Sequence, residues 1–599
     1  MHFLSFLYLQ RMVEGEERRL VVLYGSQTGT AKEVAERVGR EGARLHFAVQ
    51  VAAMDSFATS LLPASRLVVY VASTTGQGEV PDNMRASWRK LLRRSLPATL
   101  LAGQSFGVLG LGDSSYPKFN FVAKKLARRL AQLGGRQLLP PGLGDDQHDL
   151  GPDFVVDAWL ERWWGLALQH SPLPPGVTPI PRDVIPPPRF QVIWLDGENG
   201  TSESGEGDAE AGKPLVIGPE RPMLAPLLSC ERVTPAEHFQ DTRLVRLHCP
   251  GLAYQPGDVA LVQPSNLPDM VDTFFQLFPS LDPDRRFLLE PTSPHTPLPA
   301  TAVLPRPCTV RRAVTSFLDI QAVPTRWFFE LLSHFSKDEL EKEKCLEFNT
   351  GEGQQDLYEY CNRPRRHILE VLYDFRHSTP NIPFHYLLDL IPAIKPRSFS
   401  IASSPSVHGE VLELLVAVVR YRSSLQAPRR GLCSNWLAGL TPGALVPVWC
   451  RRGALTFPTA PGAAVMVGPG TGVAPFRSYC LETPAASRLL FFGCRSSAAD
   501  FYFKEEWGRA GVEVVTAFSR DQEDKVYVQH RMEERAELLA EAVLDRGAAF
   551  FVAGNSKQMP AAVRAALVAA LAARLGEEQG EQYVTAMEAE GRYQTETWA

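Results

Sequence analysis

Eleven prolines fall within residues 171–222, three of them consecutive at Pro186, Pro187 and Pro188, and residues 196–212 carry six acids among Gly and Ser with no base. A segment of that composition cannot bury enough apolar surface to offset its ordering entropy, so it divides the chain. At 599 residues the chain is also too long for one hydrophobic core, and about 150 residues per domain allows roughly three or four. The expected divisions are an N-terminal extension (1–19), a first module (20–170), the Pro-rich acidic linker (171–222), a second module (223–457) and a third (458–599) that starts at a Pro-Thr-Ala-Pro-Gly run. The net charge of −5, from 62 bases and 67 acids, makes no electrostatic case for nucleic acid. Nine cysteines without a C-x-x-C pair read as reduced thiols in a cytoplasmic protein and give no metal site. The apolar opening at residues 1–10 is far shorter than the ~20 residues of a span and lacks a signal peptide's features, so no stable membrane insertion is expected.

In the first module, residues 20–24 form the short apolar run of a parallel strand buried on both faces, and residues 31–38 have helical spacing with a charged face. The turn between them holds Ser26, Gln27, Thr28, Gly29 and Thr30, followed by Ala31. Hydroxyls and a glycine at a strand-to-helix turn let backbone N–H groups close on a phosphate, aided by the helix dipole. No lysine stands in this loop and no G-x-x-x-x-G-K-[ST] occurs anywhere, which argues against a nucleoside triphosphate and for a phosphomonoester. Two more apolar runs end in Ser73, Thr74, Thr75 and Gly76, and in Leu111, Gly112, Asp113, Ser114, Ser115, Tyr116, Pro117, Lys118, Phe119 and Asn120. Ligands of doubly wound sheets sit at such strand ends. Glycines permit close approach to a planar ring and Tyr116 offers a stacking face, so the three loops together point to flavin mononucleotide, FMN.

Beyond the linker, Arg397, Ser398, Phe399 and Ser400 supply a guanidinium fork for pyrophosphate, a ring face and a hydroxyl. Gly431, Leu432, Cys433 and Ser434 open an amphipathic helix, another anion-binding terminus. The apolar run 463–467 ends in a glycine-rich turn containing Thr471, whose G-x-G-x-x-P core suits a dinucleotide. Downstream stand Ser519 and Arg520, then Lys525, Val526, Tyr527, Val528 and Gln529. An NAD site places a carboxylate on the ribose 2′-OH, whereas two cations and two hydroxyls here would pair with a 2′-phosphate, which selects NADPH.

The three loops of the first module resemble those of flavodoxin-like domains, and R-x-F-S followed by G-x-C-S resembles the FAD signatures of the ferredoxin-NADP reductase superfamily. The whole pattern, from residue 20 to the T-E-T-W-A ending, is similar to the diflavin reductases, the family that includes the microsomal cytochrome reductases, and most to its branch in cytosolic iron-sulfur protein assembly. The resemblance implies a multidomain α/β plus β-barrel fold: a flavodoxin-like FMN domain, an FAD barrel carrying a helical insertion, and an NADP-binding α/β domain. It implies that Asp146 closes the FMN site, that Arg365 contacts FAD phosphate, and that Trp598 shields the flavin and moves for hydride transfer near Ser400. The implied path runs from NADPH to FAD to FMN to a protein acceptor, the iron-sulfur protein anamorsin, with the chain otherwise monomeric. In relatives a C-G-D turn lies near the nicotinamide; Ala553, Gly554 and Asn555 stand here. Two alternatives remain: a reductase for haem monooxygenases, which would need an anchor, and a non-catalytic flavin-binding scaffold. Asp145, Asp146, Asp149, Asp153 and Asp157 form either an acceptor face or a solvated helix start. The linker is expected to tether the first module while it swings, so that shortening residues 196–212 slows acceptor reduction.

Overall fold

The computed structural model describes residues 18–75, 78–116, 118–195, 217–293, 296–458, 462–483 and 487–598. The N-terminal extension up to residue 17, Gly76, Pro117 and the acidic stretch 196–212 lie outside the described residues.

The apolar run of the first module becomes the strand Arg19–Gly25, with Leu20, Val21, Val22 and Leu23 all buried. It pairs in parallel with Ala48–Ala53 on one side and Leu67–Ser73 on the other, and Ser105–Gly112 follows, with Arg136–Gln137 and Gly142–Asp145 at the edge. Helices Thr30–Arg44 and Asp153–His170 cover the face of Leu20, Val22 and Val69. Helices Arg85–Leu91 and Phe121–Gln132 cover the face of Val21, Leu23 and Val68. A sheet buried on both faces explains the near-continuous apolar runs, and its strand order brings the three loops to one end.

The second module is an antiparallel sheet in the order Arg397–Ser400, Val259–Val262, Leu445–Arg451, Met223–Arg232, Thr242–His248, Val411–Ala417. Its two edge strands meet at one bridge, Ile401 with Leu414, rather than along the full ladder of a closed barrel. The inserted region is mainly helical, as expected. Its helices, among them Pro268–Leu277, Arg326–Ser333, Ile368–Asp374 and Phe384–Leu390, share a core around Phe274, Phe329 and Phe348. The third module is a parallel sheet in the order Glu513–Phe518, Arg488–Cys494, Ala464–Val467, Ala549–Asn555, Tyr593–Trp598, covered on both faces.

The linker differs from its expectation at residues 190–195. Phe190–Leu195 is a strand, paired antiparallel with Arg286–Pro291 of the inserted region. Its alternate residues explain why: Phe190 is buried, and Trp194 packs on Phe287 and Phe384 at ring separations of 6.0 and 5.3 Å. Here a short apolar alternation outweighs the flanking prolines.

Candidate flavin and nicotinamide sites

At the first loop, Gly29 adopts φ 102°, a left-handed conformation that disfavours any side chain. The Ser26 hydroxyl accepts from Gly29 N–H at 3.0 Å, Ser26 N–H donates to Asn83 Oδ1 at 2.8 Å, and the Thr28 and Thr30 hydroxyls lie 3.4 Å apart at the start of the helix that buries Ala31. Gln27 is tied outward, donating to Asp82 Oδ2 at 2.8 Å and accepting from its N–H at 3.0 Å. In the second loop Ser73 donates to the Gly25 carbonyl at 3.3 Å, Thr74 N–H donates to the Leu111 carbonyl at 2.9 Å, and Thr75 is closed onto the Glu79 carbonyl.

The third loop is braced by carboxylates. Ser114 N–H donates to Asp145 at 2.9 Å, and both Ser115 donors reach Asp113. Asp146 N–H donates to the Gly112 carbonyl at 2.9 Å, which brings Asp146 beside this loop; burial, with Asp113 and Asp145 nearby, pushes its carboxyl up. Tyr116 and Phe119 are half-buried and Lys118 is exposed. Asn120 is fully buried, donates to the Gly144 carbonyl at 2.9 Å, and leaves Oδ1 without a partner. It therefore stands as a buttress between this loop and the strand Gly142–Asp145. The loops converge on one mouth with hydroxyls, a glycine cradle and a half-buried tyrosine, a donor set that fits FMN.

The strand Arg397–Ser400 pairs with Val259–Val262, opposing Ser400 to Val259 and Phe399 to Ala260, and its alternation sends Arg397 and Phe399 to one face, Ser398 and Ser400 to the other. In the helix Leu432–Gly439, the side chains of Leu432, Cys433 and Ser434 are buried; desolvation pushes the Cys433 thiol up to about 12, and the Ser434 hydroxyl accepts from Val419 N–H at 3.0 Å. The Gly431 N–H donates to the Val419 carbonyl at 2.9 Å, so what this turn offers a pyrophosphate is the first-turn backbone N–H groups of Leu432, Cys433 and Ser434. Exposed Arg365, at φ 56°, accepts at its carbonyl from Arg429, which grips Glu370 through two 2.7 Å bonds and directly precedes Arg430 and Gly431. Arg429 and Arg430 join Arg365 at this helix end, although no motif singled them out.

In the nicotinamide module, a Cβ on Gly472 would lie 2.2 Å from the Ala553 carbonyl, so the turn holding Thr471 packs directly against the strand Ala549–Asn555. Ser519 and Arg520 donate through their N–H groups to the carbonyls of Cys494 and Arg495. Among the described residues no carboxylate pairs with Arg520 or Lys525, and Lys525 and Tyr527 are exposed, as a 2′-phosphate would require. Val528 is buried against Gly493, Val526 packs on the same core, and Gln529 opens the helix Val528–Glu534, so these three frame the site through their backbone. Trp598 is 37% exposed at the end of Tyr593–Trp598, opposite Asn555.

The structure adds one acid. Glu596 opposes Ala553 in the parallel pairing, and its Oε2 is buried without a partner; burial pushes its carboxyl up to about 7, with Arg451 pulling down and Asp258 pushing up.

The modules also meet. Lys395 donates to the Thr28 carbonyl of the first loop, and Arg451, 3.4 Å from the Ser398 hydroxyl, pairs with Asp82. Asp157 takes Arg37 at 2.7 Å and also Arg326 of the inserted region, and Asp153 lies 3.9 Å from Arg326. These two acids of the candidate acceptor cluster are engaged within the chain.

Comparison with family models matches residues 22–159 to flavodoxin, 217–436 to the FAD binding domain and 466–565 to the oxidoreductase NAD-binding domain. The chain is 48% identical to NADPH-dependent diflavin oxidoreductase 1 of Xenopus laevis over 97% of its length and 100% of the relative's. The chain belongs to the NADPH-dependent diflavin oxidoreductases. Identity is 37% to the Emericella nidulans relative of the same name, covering 97% of both chains, and 37% to that of Arabidopsis thaliana, covering 98% of this chain and 100% of that one. As a member of this family, with all three modules in place, the chain is an NADPH-dependent oxidoreductase whose cofactors are FAD and FMN. Among the described residues no helix is long and apolar enough to cross a membrane.

Proposed function

We propose that this diflavin reductase carries electrons from NADPH through FAD and FMN to the iron-sulfur protein anamorsin, in cytosolic iron-sulfur cluster assembly. The passage from FAD to FMN is supported by the meeting of Arg451 with Asp82, which sets the FMN-side loops beside the strand Arg397–Ser400; anamorsin as acceptor follows from the resemblance to the iron-sulfur branch of the family. Bound flavins supply the capacity to take two electrons together and release them singly.

Around them the residues divide the work. Ser26 to Ala31 would hold the FMN phosphate, the loops from Ser73 and from Leu111 would flank its ring, and Asp146 would close the mouth. Arg365, Arg397 and the N–H groups of Leu432, Cys433 and Ser434 would hold the FAD pyrophosphate, with Gly431 setting the turn and Phe399 offering a face to its ring. Thr471, Ser519, Arg520, Lys525 and Tyr527 bind NADPH. Trp598 would cover the FAD ring where nicotinamide enters and would have to move aside for it, and Ser400 would orient the reacting edge. Burial favours the protonated form of Glu596 beside Ala553, where the related C-G-D turn carries a thiol. Domain boundaries near 170 and 457 fit this division, with residues 190–195 joined to the second module by their pairing, as do a cytoplasmic location and a monomer that pairs only with its acceptor.

Mixing purified protein with NADPH and then anamorsin tests the reading. Two flavins per chain should bleach and recover as the iron-sulfur protein is reduced. Bleaching without anamorsin reduction would remove that acceptor and leave the oxidoreductase; a microsomal haem protein reduced in its place would favour the alternative.

A further inference from the structure

The first loop contains no cation, yet the fold brings one to it from another module. Lys395 lies two residues before Arg397, whose guanidinium donates to the Lys395 carbonyl at 2.6 Å, and its ammonium crosses the module boundary to the Thr28 carbonyl. That nitrogen is 2.5 Å from the position a Cβ on Gly29 would take, so it occupies the space left by the glycine at the tip of the loop. Among the described residues no carboxylate pairs with it; the loop carbonyl is its hydrogen-bond partner. Lys395 is exposed as a residue, and desolvation pushes the pKa of its ammonium down, with Glu33 of the adjoining helix and Asp319 opposing. A cation held without a direct ion pair against a phosphate cradle is incomplete in charge.

We propose that Lys395 of the FAD module supplies the counter-charge for the FMN phosphate when the modules are docked. The proposal rests on the placement of that phosphate in the loop Ser26–Ala31. By linkage, docking then tightens FMN binding and bound FMN tightens docking by the same factor.

The test uses the full chain stripped of FMN and titrated with FMN or with riboflavin, which has no phosphate, following quenching of flavin fluorescence at low salt. Lys395→Gln is expected to weaken FMN about tenfold, the loss of one unit charge near a dianion, and to leave riboflavin unchanged. Lys395→Arg, which keeps the charge, should stay within about threefold of wild type. The proposal is overturned if Lys395→Gln weakens FMN by less than about threefold, if riboflavin weakens as much as FMN, or if Lys395→Arg is as impaired as Lys395→Gln. Equal affinity of the unmodified chain for FMN and riboflavin would instead overturn the placement of the phosphate, and the proposal with it.

Discussion

Replacing Glu413 by glutamine should loosen the joint between the FAD sheet and the nicotinamide module. Glu413 lies on the strand Val411–Ala417 with 5% of its side chain exposed. It accepts from Arg246 Nε at 2.7 Å and from Arg477 Nη1 at 2.6 Å, with His408 Nε2 3.3 Å away. Burial alone would push this carboxyl up, but His408, Arg477 and Arg246 hold it far below the usual carboxylate range. In Glu413→Gln two charge-assisted bonds lose their anion, each worth about 1.5–3 kcal/mol. Arg477 keeps Glu506 at 2.7 Å and Arg246 keeps Glu231 at 3.0 Å, so the low end applies to each. The net loss is about 3 kcal/mol; over roughly 380 residues of unfolding entropy it lowers the melting temperature by about 4 °C. Calorimetry of the holoprotein reads this directly. Because the folded pKa is depressed, the contribution is complete above the unfolded value of 4.5 and disappears as pH falls through the folded value. The gap between wild type and variant should therefore be constant from pH 8 to about 5 and close in stronger acid. A shift below 1 °C at neutral pH, or one that does not narrow with acid, would refute the network as the source of stability.

Glu596 carries the opposite sign. Its folded pKa, about 7, is raised above 4.5, so the fold keeps a proton that the unfolded chain has released, and stability should decline between pH 4.5 and 7. Glu596→Gln should flatten that decline in a series of thermal melts. Gly472→Ala puts a methyl 2.2 Å from the Ala553 carbonyl and should abolish NADPH binding measured by calorimetry, while FMN and FAD stay bound. Losing two charge-assisted partners in Arg520→Ala/Lys525→Ala should cost about 100-fold in NADPH affinity, with NADH affinity nearly unchanged; equal losses for both would remove these residues from the 2′-phosphate.

The loops were readable because each is local: an apolar run ends and a Gly/Ser/Thr turn begins, and a parallel sheet collects such turns at one end. Motif spans mislead about side chains for the same reason. Leu432, Cys433 and Val528 sit inside binding motifs, but each stands in the first turn of a helix that turns it into the core, and Val526 packs on the core from the preceding loop. Contacts between distant segments left no local trace. Nothing near Lys395 announces Thr28, and no periodicity marks Glu596 as the acid opposite Ala553. Asp153 and Asp157 read equally well as a docking face or a helix start, and only the inserted region's Arg326 shows what they face.

The strand Phe190–Leu195 changes where the leash of the FMN module is fastened. It is pinned to the inserted region at Arg286–Pro291, ahead of the acidic stretch, so the connection to the FMN module is residues 171–189, at most about 60 Å when fully extended; in the docked arrangement that connection is itself held, by Arg18 and Arg44 at the carbonyls of Ser171 and Pro181 and by Tyr386 and Thr292 at those of Pro186 and Pro188. The pivot is the edge of a three-stranded sheet, and the acidic residues 196–212 come after it in the sequence. Trimming them would leave the module's radius of travel untouched. Unpinning Phe190 and Trp194 from their aromatic neighbours would lengthen it.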